Sequence, residues 1–148
     1  MKANNYSRWI GACCLTVLVA LYLVGAVSHS SLRHEIQTLP LWAPIVLGFR
    51  WSPVAKWIAL PCLAVWLLLM ITIWTFLAGW THLISGHFTP VEVVLTIVIG
   101  AASACGIGIG LKWETATPWT AVFGIVLLSV ALQFAALRLS FLPSISSR

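Results

Sequence analysis

Histidine, cysteine and carboxylate are the side chains that could do chemistry in this chain, and there are few of them. Four histidines fall in two pairs, His29 with His34 and His82 with His87. A spacing of five does not align either pair on one helical face, and only Glu35 beside His34 adds a further ligand, so neither pair completes a tetrahedral zinc set. Cys13, Cys14, Cys62 and Cys105 form no C-x-x-C, the arrangement a thiol oxidoreductase would need, and read as small apolar packing residues. The carboxylates are Glu35, Glu92 and Glu114. Three acids leave little for general acid–base catalysis, and there is no glycine-rich phosphate loop and no G-x-S-x-G elbow. The sequence therefore points to no catalytic residue, no metal and no cofactor. A lipid-directed enzyme using His34 with Glu35, or His82 with His87, is the weakest of three functional readings.

The elements that carry these residues are set by composition. Eight basic and three acidic side chains stand among 148 residues that are 61% hydrophobic, which excludes a soluble domain with a charged surface. Charge-free runs cover 9–32, 57–91, 93–111 and 115–137. Each is long enough for a helix that must cross about 30 Å of hydrocarbon at 1.5 Å per residue. The expected fold is an all-α integral membrane protein, a single membrane domain over 1–148. Its four transmembrane helices lie near 9–28, 54–80, 90–111 and 118–140. A fifth apolar stretch, 36–52, is interrupted by Pro40, Pro44 and Gly48 and reads as an interfacial or re-entrant segment.

Ser52-Pro53, Thr89-Pro90 and Thr117-Pro118 each place a hydroxyl before a proline, the pattern of an N-cap followed by the first helical residue. Thr89 and Glu92 have the spacing of a capping box. The 19 apolar residues from Trp9 to Val27 exceed a signal-peptide core, so Ala26-Val27-Ser28 reads as the end of a retained anchor. Four crossings put both termini on one side with Trp9, Trp74 and Trp80, and Trp42, Trp51, Trp57, Trp113 and Trp119 on the other. Lys2, Arg8, Arg138 and Arg148 then balance Arg33, Arg50, Lys56 and Lys112. The first helix tips this tie toward cytoplasmic termini in a bacterial inner membrane. In that arrangement the two histidine pairs face opposite sides, and of the cysteines only Cys62 and Cys105 can meet.

Three patterns bear on partners. Small residues recur every four positions at Gly100, Ala104 and Gly108 and again at Ala102, Gly106 and Gly110, which permits close helix packing. Thr16, Thr72, Thr96, Ser129 and Gln133 are polar groups inside the spans and could form a layer at one depth. Arg33, Trp42, Arg50 and Trp51 are candidates for contact with lipid or a partner. The sequence thus favours a non-enzymatic accessory or assembly subunit, bound to another membrane protein or to itself in the lipid bilayer, with no nucleic acid involved. The alternative is a small oligomeric transporter or channel with Gln133, Ser129, Thr72 and Thr96 lining the path.

Overall fold

The structure is a computed structural model that describes residues 3–28, 30–82 and 88–142. Five helices follow in order: α1 Ala3–Val27, α2 Ser31–Phe49, α3 Val54–Leu77, α4 Pro90–Lys112 and α5 Trp119–Ser140. Four of them, α1, α3, α4 and α5, are long and apolar enough to cross a membrane. Their outward faces are apolar along the whole length, as with Val19 and Leu23 on α1, Leu68 on α3, Val94 and Ile97 on α4, and Leu128 and Leu132 on α5. So much contiguous exposed hydrocarbon is incompatible with water and normal against lipid.

The segment expected to break at its prolines does not. It is one continuous helix, α2, with Pro40 and Pro44 inside it. Its 19 residues extend about 28 Å, roughly the thickness of the hydrocarbon core. Proline removes the donors that would serve the carbonyls of Ile36 and Pro40, but leaves the helical dihedrals intact. In a bundle, neighbouring helices hold such a segment in shape. Pro44 is buried, and Leu39, Trp42 and Val46 face outward.

Consecutive helices alternate in direction. Ser7 near the start of α1 donates to the Gly48 carbonyl near the end of α2, 2.9 Å away. At the other end of the same pair, Gly25 packs on Ser31 and His34. Trp57 of α3 donates to Thr115 beyond α4, and Trp74 of α3 to Thr96 of α4. Gln37 of α2 bonds Ser140 of α5. Five traverses therefore place the start of α1 and the end of α5 at opposite ends of the bundle, not at the same end. We call these the near end (Ser7, Arg50, Lys56, Lys112, Trp119) and the far end (Val27, Arg33, Leu77, Glu92, Ser140). Helix α3 touches all four other helices, which follow one another around it in the order α4, α1, α2, α5.

Local signals fix the helix ends. Thr89 and Glu92 form the capping box, with the Thr89 N–H donating to the Glu92 carboxylate at 2.7 Å. The Ser52 hydroxyl accepts from the Val54 N–H at 3.3 Å, whereas Thr117 makes no cap bond to α5. Helix α3 stops at Leu77, short of 80, because Gly79 takes a left-handed φ of 75° and the Trp80 N–H turns back to the Thr75 carbonyl. That is the Schellman closure. Helix α2 ends the same way, with Trp51 in the glycine role at φ 64° and the Ser52 N–H bonding the Leu47 carbonyl.

Candidate functional site

The small residues of α4 divide by direction. A Cβ on Gly100 would meet the Trp74 ring at 2.3 Å, one on Gly106 would meet Leu63 at 2.6 Å and Cys13 at 3.1 Å, and one on Gly110 would meet Leu60 at 2.9 Å. These three glycines are occupied inside the bundle. Ala104 is exposed, and a Cβ on Gly108 would meet nothing within 4 Å. With Ala101, also exposed, they form an outward strip that no other described helix covers, whereas Cys105 beside them neighbours Cys13 of α1.

The polar residues of the spans do not converge. Thr16 donates to the Ala12 carbonyl, Thr72 to Leu68, Thr96 to Val93 and Ser129 to Ile125, each within its own helix. Such back-bonding is what a hydroxyl does in a helix lacking another partner. Thr96 also accepts from the Trp74 indole at 3.1 Å. Gln133 is fully buried between α5 and α2, donates to the Gln37 carbonyl at 3.4 Å, and has a side-chain oxygen without a partner. Helix α5 does not reach α1 or α4, so Gln133 meets neither Thr16 nor Thr96.

Arg33, Trp42, Arg50 and Trp51 are likewise separated. Arg33 is at the far end, its guanidinium 4.2 Å from the Phe141 ring centroid. Arg50 and Trp51 are at the near end, where Arg8 stands 5.6 Å from the Trp51 centroid. Trp42 is between them on the outer side of α2. The fifth traverse also redistributes the tryptophans. Trp9 now shares an end with Trp51, Trp57, Trp113 and Trp119, while Trp74 and Trp80 take the other.

The same change regroups the chemistry-bearing side chains. Cys13 neighbours Cys105 and Cys14 neighbours Cys62, so the α1 cysteines meet the two that a four-crossing arrangement sets on the other side of the membrane. His34 and His82 fall at one end rather than on opposite sides; His29 and His87 lie outside the described residues. Among the described residues no group of three or more His, Cys, Asp or Glu gathers as a metal site.

Two concavities stand out among the described residues. At the near end, a polar recess of about 240 Å³ is bounded by Lys56, Trp57, Trp113, Glu114, Thr115 and Trp119. Lys56, 7% exposed, donates to the Trp113 carbonyl, and its ammonium stands 4.4 Å from the Trp57 centroid. This network ties the 113–118 link to the start of α3. Sequence reading missed it because Lys56 and Trp113 are 57 positions apart. The second concavity is an apolar groove of about 490 Å³ between α2, α3 and α5, bordered by Ile36, Pro40, Ala43, Cys62, Leu132 and Leu139 among others.

No known protein family, curated protein or solved structure matches this chain. Its functional reading rests on these arrangements.

Proposed function

We propose that the protein is a five-traverse membrane bundle acting as a non-enzymatic accessory or assembly subunit of a membrane complex, and that it docks through the outer strip of α4. The observation that supports this is the open surface at Ala101, Ala104 and Gly108. Helices in lipid gain little from burying hydrocarbon and associate where small residues let backbones approach. Gly100, Gly106 and Gly110 already serve that purpose within the chain. Gly108 and Ala104 leave the same kind of contact available to another helix.

The proposed site is a bacterial inner membrane, with the near end in the cytoplasm. Among the described residues Arg8, Arg50, Lys56 and Lys112 are at the near end, against Arg33 and Arg138 at the far end. The tie expected for four crossings thus becomes a bias of four to two, and lysine and arginine collect on the cytoplasmic side.

The test is to tag the protein, extract it in a mild detergent or native nanodiscs, and identify what accompanies it by native mass and protein identification. The expected result is a stoichiometric membrane protein that is lost from Gly108→Leu and kept in Gly124→Leu. Gly124 is equally open, but on α5, and serves as the control. A homo-oligomer sensitive to Gly108→Leu would assign the strip to self-assembly. Assembly that Gly108→Leu leaves intact would remove this face from consideration.

A further inference from the structure

We propose that the groove between α2, α3 and α5 holds one acyl chain of an anionic phospholipid whose phosphate sits on Arg33. The inference rests on the bundle being membrane-embedded and does not depend on what the α4 strip binds. The groove volume, about 490 Å³, is of the size of ligand sites, about 300–1,000 Å³. Its walls are hydrocarbon nearly throughout, from Ile125 to Leu139 along α5 and from Ile36 to Ala43 along α2. That stretch of α5 is about 21 Å long, whereas chains of one leaflet reach about 15 Å, half the core thickness. An extended chain fits lengthwise with its headgroup toward the far end.

What stands at that end gives the lipid its charge. Arg33 lies one turn before Ile36, which borders the groove, and its guanidinium rests over Phe141, two residues past Leu139. Among the described residues its buried Nε has no hydrogen-bond partner. Arg138 in the last turn of α5 adds a second cation at this end. Of the acids at the far end, Glu35 is exposed on α2 and Glu92 is engaged in the Thr89 cap on α4. A phosphate at the groove mouth would supply Arg33 Nε with an acceptor that the described residues do not, and arginine matches phosphate geometry well. The aromatic ring beneath it holds the guanidinium in place.

The test uses the full chain in vesicles of equal phosphatidylglycerol and phosphatidylcholine, with a trace of either lipid carrying a photoactivatable group on its acyl chain. Flotation with the vesicles first establishes that the protein is embedded; failure to float would defeat the membrane reading itself and be distinguishable from failure of the lipid site. Adducts from the phosphatidylglycerol probe should concentrate on groove-lining peptides of α2 and α5. Ala135→Trp and Ala43→Trp, two exposed positions bordering the groove, should each reduce that labelling to the level of the other outward faces. Arg33→Gln should abolish a preference of about fivefold for phosphatidylglycerol over phosphatidylcholine, the scale of one basic residue at an anionic surface. Labelling spread evenly over all helices, or unchanged by both tryptophans, overturns the proposal. So does a phosphatidylglycerol preference that survives Arg33→Gln, or adducts found on a co-purifying protein in place of this chain.

Discussion

The side-chain amide of Gln133 on α5 donates to the main-chain carbonyl of Gln37 on α2, 3.4 Å away across 96 residues of chain. About two turns further along α5, the Gln37 side chain donates to the Ser140 hydroxyl at 2.9 Å. These bonds fasten α5 to α2, while the Ser7 hydroxyl on the Gly48 carbonyl fastens α2 to α1. Helix α2 is thus an internal member of the bundle, and no direct packing joins α5 to α1. The alternating directions of the five helices follow from these contacts.

The cysteines report that geometry directly. Cys13 beside Cys105 is a contact that the five-traverse arrangement makes and the four-crossing arrangement cannot, since the latter separates them by much of the bilayer. In a variant with Cys14 and Cys62 replaced by alanine, a short bifunctional thiol reagent should join the remaining two. The product would be a peptide linked between α1 and α4 on mass mapping. Its absence, with both thiols shown reactive singly, would contradict the bundle.

Orientation is a separate outcome. Reporters that function on only one side of a membrane, fused after α5 or before α1, should give opposite answers. The fusion before α1 should report cytoplasm, because the near end carries four of the six described lysines and arginines. Lys56→Gln with Arg50→Gln should weaken that bias. The same answer from both fusions would return the chain to an even number of crossings.

Most of the helical architecture was legible from the sequence because charge-free runs longer than 18 residues have one reading in lipid. The Thr89–Glu92 box was legible because its partners are three residues apart. Helix α2 was not. Its prolines remove local donors, and what keeps it helical is packing from residues as distant as Ser7 and Ser140. From that single difference follow the place of Trp9 at the same end of the bundle as Trp51 and the neighbours of Cys13 and Cys14. The Arg33–Phe141 contact was hidden for the same reason, whereas Lys56 and Trp113 were expected at one end and were hidden only by their separation of 57 positions. Arg33 and Phe141 share an end only because α2 runs the length of the bundle antiparallel to α1.

The α2–α5 clasp should show measurable coupling. Ser140→Ala leaves the Gln37 amide buried without its partner, and Gln37→Leu removes the donor itself. A double-mutant cycle on thermal or denaturant unfolding in detergent should give a coupling of about 0.6 kcal/mol, the usual scale for hydrogen bonds between membrane helices. Gln133→Leu should cost little or raise stability, because it also removes a buried oxygen that has no partner. A loss of more than about 2 kcal/mol in Gln133→Leu, beyond what one net hydrogen bond contributes, would show that the amide makes a contact beyond the one to Gln37.

Helices α1 and α2 meet backbone to backbone at Gly11 and Gly48, and these two glycines should behave differently. A Cβ on Gly48 would stand 2.8 Å from the Gly11 Cα and 2.9 Å from the Ser7 carbonyl oxygen. Those are backbone atoms, so relief requires the helices to separate, breaking the Ser7–Gly48 bond and opening the contact down the whole pair. A Cβ on Gly11 would meet its nearest atoms, on Gly48 and Ile45, at 3.4 Å, close to ordinary van der Waals contact. Alanine also gains about 0.8–1.0 kcal/mol over glycine in helix propensity, which offsets a small steric cost but not the overpacking of about 1–3 kcal/mol expected at a rigid contact. Gly11→Ala should therefore unfold at a temperature near the parent's, and Gly48→Ala well below it. Equal melting of the two variants would mean that α2 does not press on α1 at this point, and the close antiparallel pairing that places α2 inside the bundle would be wrong.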